Sequence, residues 1–126
     1  MISIAQYGLL SILSLFLILH FCIILKIIPY KFVWGGRLKT DREMYRFEAI
    51  SIGINLIFIF IMLIQAHFWV IDFPNRIMTI LLWGITALFL LNTFGNALSK
   101  NKVEQVLFTP LTILLTLFAL ILAISN

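Results

Sequence analysis

The stretch KIIPYKFVWGGRLKTDREMYRFE, from Lys26 to Glu48, decides the reading of this chain. Six of the nine Lys and Arg residues lie in it: Lys26, Lys31, Arg37, Lys39, Arg42 and Arg46. On either side the sequence is nearly pure hydrocarbon. A basic, aromatic segment between two long apolar runs reads as a connection at a membrane surface, where Tyr30, Phe32 and Trp34 suit the headgroup layer.

Working outward, four runs lack Asp, Glu, Lys and Arg: residues 2–25, 49–71, 77–99 and 105–126, with Asp72 just beyond the second. Each has the ~20 residues that a helix needs to cross a bilayer core. Backbone in hydrocarbon must bond to itself, so each run is expected to be a helix. The 126 residues are 63% hydrophobic and 11% charged, with a mean hydropathy of +1.14. That is about half the charge of an ordinary soluble domain. The expectation is an all-α fold: one domain over 1–126, a four-transmembrane-helix bundle with helices at about 2–28, 41–70, 74–99 and 102–125. The first run has no basic residue before it and is too long for a cleavable signal, so it should stay as helix 1.

The net charge of +4 sits beside apolar runs. Anionic lipid headgroups are therefore the expected partner, and nucleic acid is not. The single cysteine, Cys22, lies inside an apolar run and excludes an internal disulfide. Loops 1 and 3 hold eight basic residues, with Lys100 and Lys102 in the third. Loop 2 holds one, Arg76, and neither tail holds any. By the positive-inside rule loops 1 and 3 should be cytoplasmic and both termini extracytoplasmic, in a multi-pass protein of the inner (cytoplasmic) membrane.

Local signals place the helix ends. Pro29 ends or kinks helix 1. Gly35-Gly36-Arg37 is either a headgroup-level turn or a set of backbone N–H groups offered to a phosphate. Thr40-Asp41-Arg42-Glu43 matches a capping box at the start of helix 2. Gln65, His67, Phe68 and Trp69 form an interfacial belt at its far end. Asp72 is the expected cap of helix 3, with Pro74 in the first turn. Thr79, Thr86 and Thr93 recur at sevens toward Lys100. Asn101-Lys102-Val103-Glu104 resembles a second capping box. Pro110 either kinks a helix begun at Lys102 or opens one capped by Thr109.

With that threading, His20, Glu48, Ser51, Asn55, Asn92, Thr93, Asn96, Thr109 and Thr112 all fall in the cytoplasmic half. Asp41, Glu48, Ser51 and Asn55 share one face of helix 2. Polar groups at membrane depth usually face the bundle interior. Two readings follow. In one, these residues bond across helices at ~0.6 kcal/mol each. In the other, they line a cavity for a small polar group or headgroup. His20, Arg37, Glu48, Ser51, Asn55, Asn92 and Asn96 would be the ligand-binding set, with Glu48 its acid and His20 its titratable base.

Trp-Gly-Gly-Arg-Leu-Lys (34–39), Met-Tyr-Arg-Phe-Glu (44–48), Asn-Thr-Phe-Gly-Asn (92–96) and Phe-Thr-Pro-Leu-Thr (108–112) together resemble a group of small bacterial four-helix integral membrane proteins without assigned activity. The resemblance spans most of the chain and implies a fold. Length, outside termini and a basic first loop are also similar to the membrane-associated eicosanoid and glutathione metabolism proteins. Their Arg-x-x-x-Asn-x-x-Glu start of helix 2 is not reproduced, because Arg42 is followed by Arg46 and Glu48. Small multidrug transporters share the size but carry an acid in helix 1, which this chain does not.

No Ser-His-Asp arrangement, phosphate loop or zinc motif appears, so no catalytic residue, cofactor or metal is expected. The functional expectation is a non-enzymatic binding or accessory module with a polar cavity in the cytoplasmic half. The alternative is a small-solute or lipid carrier, or a glutathione- or lipid-modifying membrane enzyme. Gly84, Gly95 and Ser99 on helix 3, with Ala49 and Gly53 on helix 2, suggest close backbone approach. A homo-oligomer or docking into a larger membrane complex is expected from them.

Overall fold

A computed structural model describes residues 2–32, 38–69, 71–99 and 101–126. Expectations resting on Val33, Trp34, Gly35, Gly36, Arg37 and Lys100 lie outside the described residues. The described chain is all-α and without strands. It comprises α1 (Ile2–Ile24), a 3-10 turn (Tyr30–Phe32), α2 (Asp41–Gln65), α3 (Asn75–Ala97), and a π turn (Glu104–Phe108) that runs directly into α4 (Thr109–Ser125).

All four helical segments are long and apolar enough to cross a membrane. The 23 residues of α1 rise ~35 Å, against a hydrocarbon core of ~30 Å. The chain is a multi-pass helical membrane bundle. Leu91, Ile80, Ile18 and Ile124 are all at least 60% exposed. Such side chains would be costly on a water-soluble bundle and are ordinary when lipid is the outer solvent.

The helices pack in the order α2, α1, α4, α3, with α1 against α2 and α4, and α3 against α4. Each buries one narrow stripe. On α3 it is Met78, Leu82, Ile85, Thr86 and Phe89, and on α4 Thr112, Leu115, Ala119, Leu122 and Ala123. Steps of three and four keep these residues on one side of a helix. Phe58 of α2 meets Phe89 of α3 edge-on at 5.5 Å between ring centres, which helps close the bundle.

Capping chemistry explains the ends. Thr40 Oγ1 accepts from the Glu43 N–H at 3.2 Å, as the capping box requires. Asn101 Oδ1 accepts from the Val103 N–H at 2.9 Å and starts the last helical segment. Pro110 sits in the first turn of α4, after five residues of π geometry. The wider π turn lets the helix pass a residue without an N–H, so the segment is continuous from Lys102.

Several ends differ from the sequence expectation. α1 stops at Ile24, before Pro29, because Lys26 adopts a left-handed φ of 62°. The Ile27 N–H then returns to the Cys22 carbonyl at 2.8 Å and the Lys26 N–H to Ile23 at 3.0 Å. α2 ends the same way at Gln65, with His67 at φ 62° and the Phe68 N–H on the Leu63 carbonyl at 3.0 Å. Both are Schellman-type ends with a side chain where glycine is usual. Pro74, not Asp72, occupies the cap of α3 and makes no side-chain bond there. The glycines expected to bring helices together do not do so within the bundle. A Cβ added at Gly53, Gly84 or Gly95 would meet nothing within 4 Å. Among the described glycines Gly8 is the one that packs: a Cβ there would lie 2.4 Å from the Phe118 ring.

Candidate functional site

The bundle has two layers. At the end that holds the chain termini, Ala5, Leu9, Leu13, Met62, Met78, Leu82, Leu115, Ala119 and Leu122 make an apolar core. At the end that holds the basic first loop, a small cluster of Ile23, Leu38 and Met44 is flanked by buried polar groups.

Glu48 is fully buried on α2, one turn beyond Met44. Its Oε2 lies 2.5 Å from Nδ1 of His20 on α1. The ring of His20 is 21% exposed. The two side chains meet because His20 lies about one turn before the end of α1 and Glu48 about two turns into α2, on the sides where the two helices pack. A carboxyl and an imidazole with one proton between them form a net-neutral unit, which lowers the cost of placing either in hydrocarbon.

Asn55 is buried two turns deeper. With its amide nitrogen toward the Leu13 carbonyl (3.3 Å), its oxygen accepts from the Leu17 N–H at 3.2 Å. It thereby grips the backbone ladder of α1. Ser51, between Glu48 and Asn55, is half-buried. Asn96 donates to Thr112 of α4 at 3.5 Å. Thr93 and Thr116 approach to 3.4 Å, while Thr79, Thr86 and Thr93 each bond the carbonyl four residues back. Asn92 is exposed on the outside of α3, away from this layer. The structure thus brings His20, Glu48 and Asn55 to the α1–α2 seam and Asn96 to the α3–α4 seam. It leaves Asn92 outside, and Arg37 lies outside the described residues.

Sequence reading missed Glu104. Its place in the sequence reads as a capping-box acid, yet it is 5% exposed and accepts a hydrogen bond from the Ser99 hydroxyl. The available signal was its position six residues before Pro110, where a distorted turn carries the side chain inward. Ser99 also receives the Asn101 N–H at 3.1 Å, and Asn101 Nδ2 donates to the Lys31 carbonyl at 2.7 Å, tying loop 3 to the first connection.

Above this layer the connection carries a surface ion pair. Lys26 Nζ is 2.5 Å from Asp41 Oδ2 and lies over the Tyr45 ring at 6.0 Å. The bond and charge of Asp41 raise the Lys26 amine above its ordinary value. Lys26, Ile28, Pro29, Tyr30 and Lys31 line an open recess of about 380 Å³. Partial burial, then the nearby Asp41 charge, pushes the Tyr30 phenol up. Among the described residues, no three His, Cys, Asp or Glu side chains are grouped as a metal ion would need.

No protein-family model, no curated protein and no solved structure matches this chain.

Proposed function

We propose that the chain is a non-enzymatic binding or accessory module of the cytoplasmic (inner) membrane. Its basic loops would face the cytoplasm and its termini the other side. The polar layer would then lie in the cytoplasmic half of the bundle, with His20, Arg37, Glu48, Ser51, Asn55 and Asn96 as the residues assigned to binding; Asn92, exposed on the outside of α3, is not among them.

One observation carries the reading. The buried polar groups at the basic end bond to one another across helices, while Lys31, Lys39, Arg42 and Arg46 are exposed around them. Paired groups hold a fixed shape, and an exposed cationic rim offers contacts to anionic headgroups worth ~1 kcal/mol per basic residue. The recess beside Lys26, Tyr30 and Lys31 adds a place for a headgroup. A carrier is the second reading, favoured by the ionisable His20–Glu48 pair at membrane depth.

Topology is tested first, in a Cys22→Ser background. Cysteines at Ser3 and Asn126 should react with impermeant thiol reagents outside intact cells, and one at Lys39 should not. Outside labelling of Lys39 would overturn the orientation. Binding is tested by the lipid that stays with purified protein. Phosphatidylglycerol should be enriched over a zwitterionic lipid, and less so after Lys39, Arg42 and Arg46 are changed to Gln. Equal retention, with proton flux in proteoliposomes lost in Glu48→Gln, would favour the carrier.

A further inference from the structure

Asn92 lies in α3, five residues before its end at Ala97, or ~7 Å inside the helix terminus. Its amide brings two donors and an acceptor to the lipid-facing surface. It is exposed and makes no hydrogen bond among the described residues. The threonines of the same helix satisfy themselves on their own carbonyls. In hydrocarbon an unbonded amide is costly, and a neighbouring helix is the usual remedy.

The surface beside Asn92 is shaped for such a neighbour. Gly84, Leu88, Leu91 and Gly95 follow at steps of four, three and four, the rhythm of a helix–helix seam. Leu88 is 48% and Leu91 65% exposed. Both glycines have open space where a Cβ would be. Gly95 is three residues from Asn92, so a second backbone can come close enough for a short side chain to reach.

We infer that this face of α3 pairs with the same face of a second copy of the chain, with Asn92 bonded to the partner's Asn92. The amide is self-complementary, donor to acceptor in both directions. In a two-fold pair about the membrane normal, both copies thread alike and their Asn92 residues stand at one depth. Any other partner would have to bring its own polar group to that depth. The pairing does not depend on which side of the membrane the termini occupy.

The test is energy transfer between labelled copies in liposomes over a series of protein-to-lipid ratios. The natural chain should dimerise. Asn92→Leu should weaken the dimer on the order of ten-fold, the range seen for interhelical hydrogen bonds. Gly95→Leu should weaken it by holding the helices apart, and Asn92→Gln should keep most of it. In a Cys22→Ser background, Asn92→Cys should cross-link on mild oxidation, and Ile57→Cys, on exposed α2 surface, should not. A monomer at every ratio, a dimer indifferent to Asn92→Leu, or equal cross-linking from both cysteines would overturn the inference.

Discussion

The two ends of the bundle are held by different physics. At the termini end the apolar core combines Leu9, Leu13, Leu115 and Leu122 with Ala5, Ala119 and Ala123, and Gly8 of α1 takes the Phe118 ring of α4. Lipid is as apolar as leucine, so this layer gains little from hydrophobic burial and depends on close van der Waals fit. At the basic end two carboxylates, Glu48 and Glu104, are buried and engaged by His20 and Ser99. Such contacts are directional and fix which helix faces which. The difference teaches that shape sets the apolar end and polar pairing sets the register of the other.

The sharpest way to break that contrast is to remove one member of a buried pair. Glu48→Ala leaves His20 against a void and should cost on the order of 3 kcal/mol, the size seen when one partner of a buried pair is deleted. Glu43→Ala removes an exposed acid at a helix start and should cost about 1 kcal/mol or less. Thermal unfolding in a mild detergent distinguishes them, and equal shifts would mean that Glu48 acts as an ordinary interfacial acid. Replacing both residues, His20→Leu with Glu48→Met, should recover most of the loss, because no charge is then left without its partner.

The parts of this arrangement that were legible in the sequence are those written locally. Run length gave the four helices, Thr40 with Glu43 gave a helix start, and the threonines' return to their own helix follows from hydroxyl chemistry. The seams were not legible. His20 and Glu48 are 28 residues apart, and their meeting depends on how two helices are rotated, which a nearly uniform apolar sequence does not encode by period. For the same reason the sequence groups Asn92 with Asn96, four residues on and nearly the same side of α3, yet Asn92 is exposed while Asn96 reaches Thr112. Gly8 went unnoticed because the α4 ring that fills its missing side chain is Phe118, over a hundred residues away in the chain. Asp72 has the side chain of a cap, but Pro74, with its fixed φ, takes the cap position of α3 and makes no side-chain bond there.

An intermediate effect should come from the apolar end. Gly8→Ala puts a methyl into the Phe118 ring and should cost about 1–3 kcal/mol through overpacking. Gly53→Ala, in open space on α2, should instead stabilise by ~0.5–1 kcal/mol, since alanine loses less entropy in a helix. Parallel melting curves of the two variants check this. If both destabilise alike, close fit is not confined to the α1–α4 seam.

The smallest effect compares one device used at both ends. α1 and α2 finish with the same left-handed residue, Lys26 at the basic end and His67 at the other, both at φ 62°. A side chain in that conformation is strained by ~1 kcal/mol relative to glycine. His67 is exposed. His67→Gly should therefore raise stability by about that amount. Lys26 has a compensating role, since its amine bonds Asp41 and lies over Tyr45. Its raised pKa means that this contribution is fully present below the ordinary lysine value and is lost only as pH climbs through the higher folded one. At neutral pH Lys26→Gly should thus gain less than His67→Gly, and the gap should narrow at strongly alkaline pH or in high salt, which screens an exposed pair. Unfolding midpoints of the two glycine variants at low and high salt decide it. A gain from Lys26→Gly equal to that from His67→Gly at low salt would show that the Asp41 pair contributes nothing to holding the first connection.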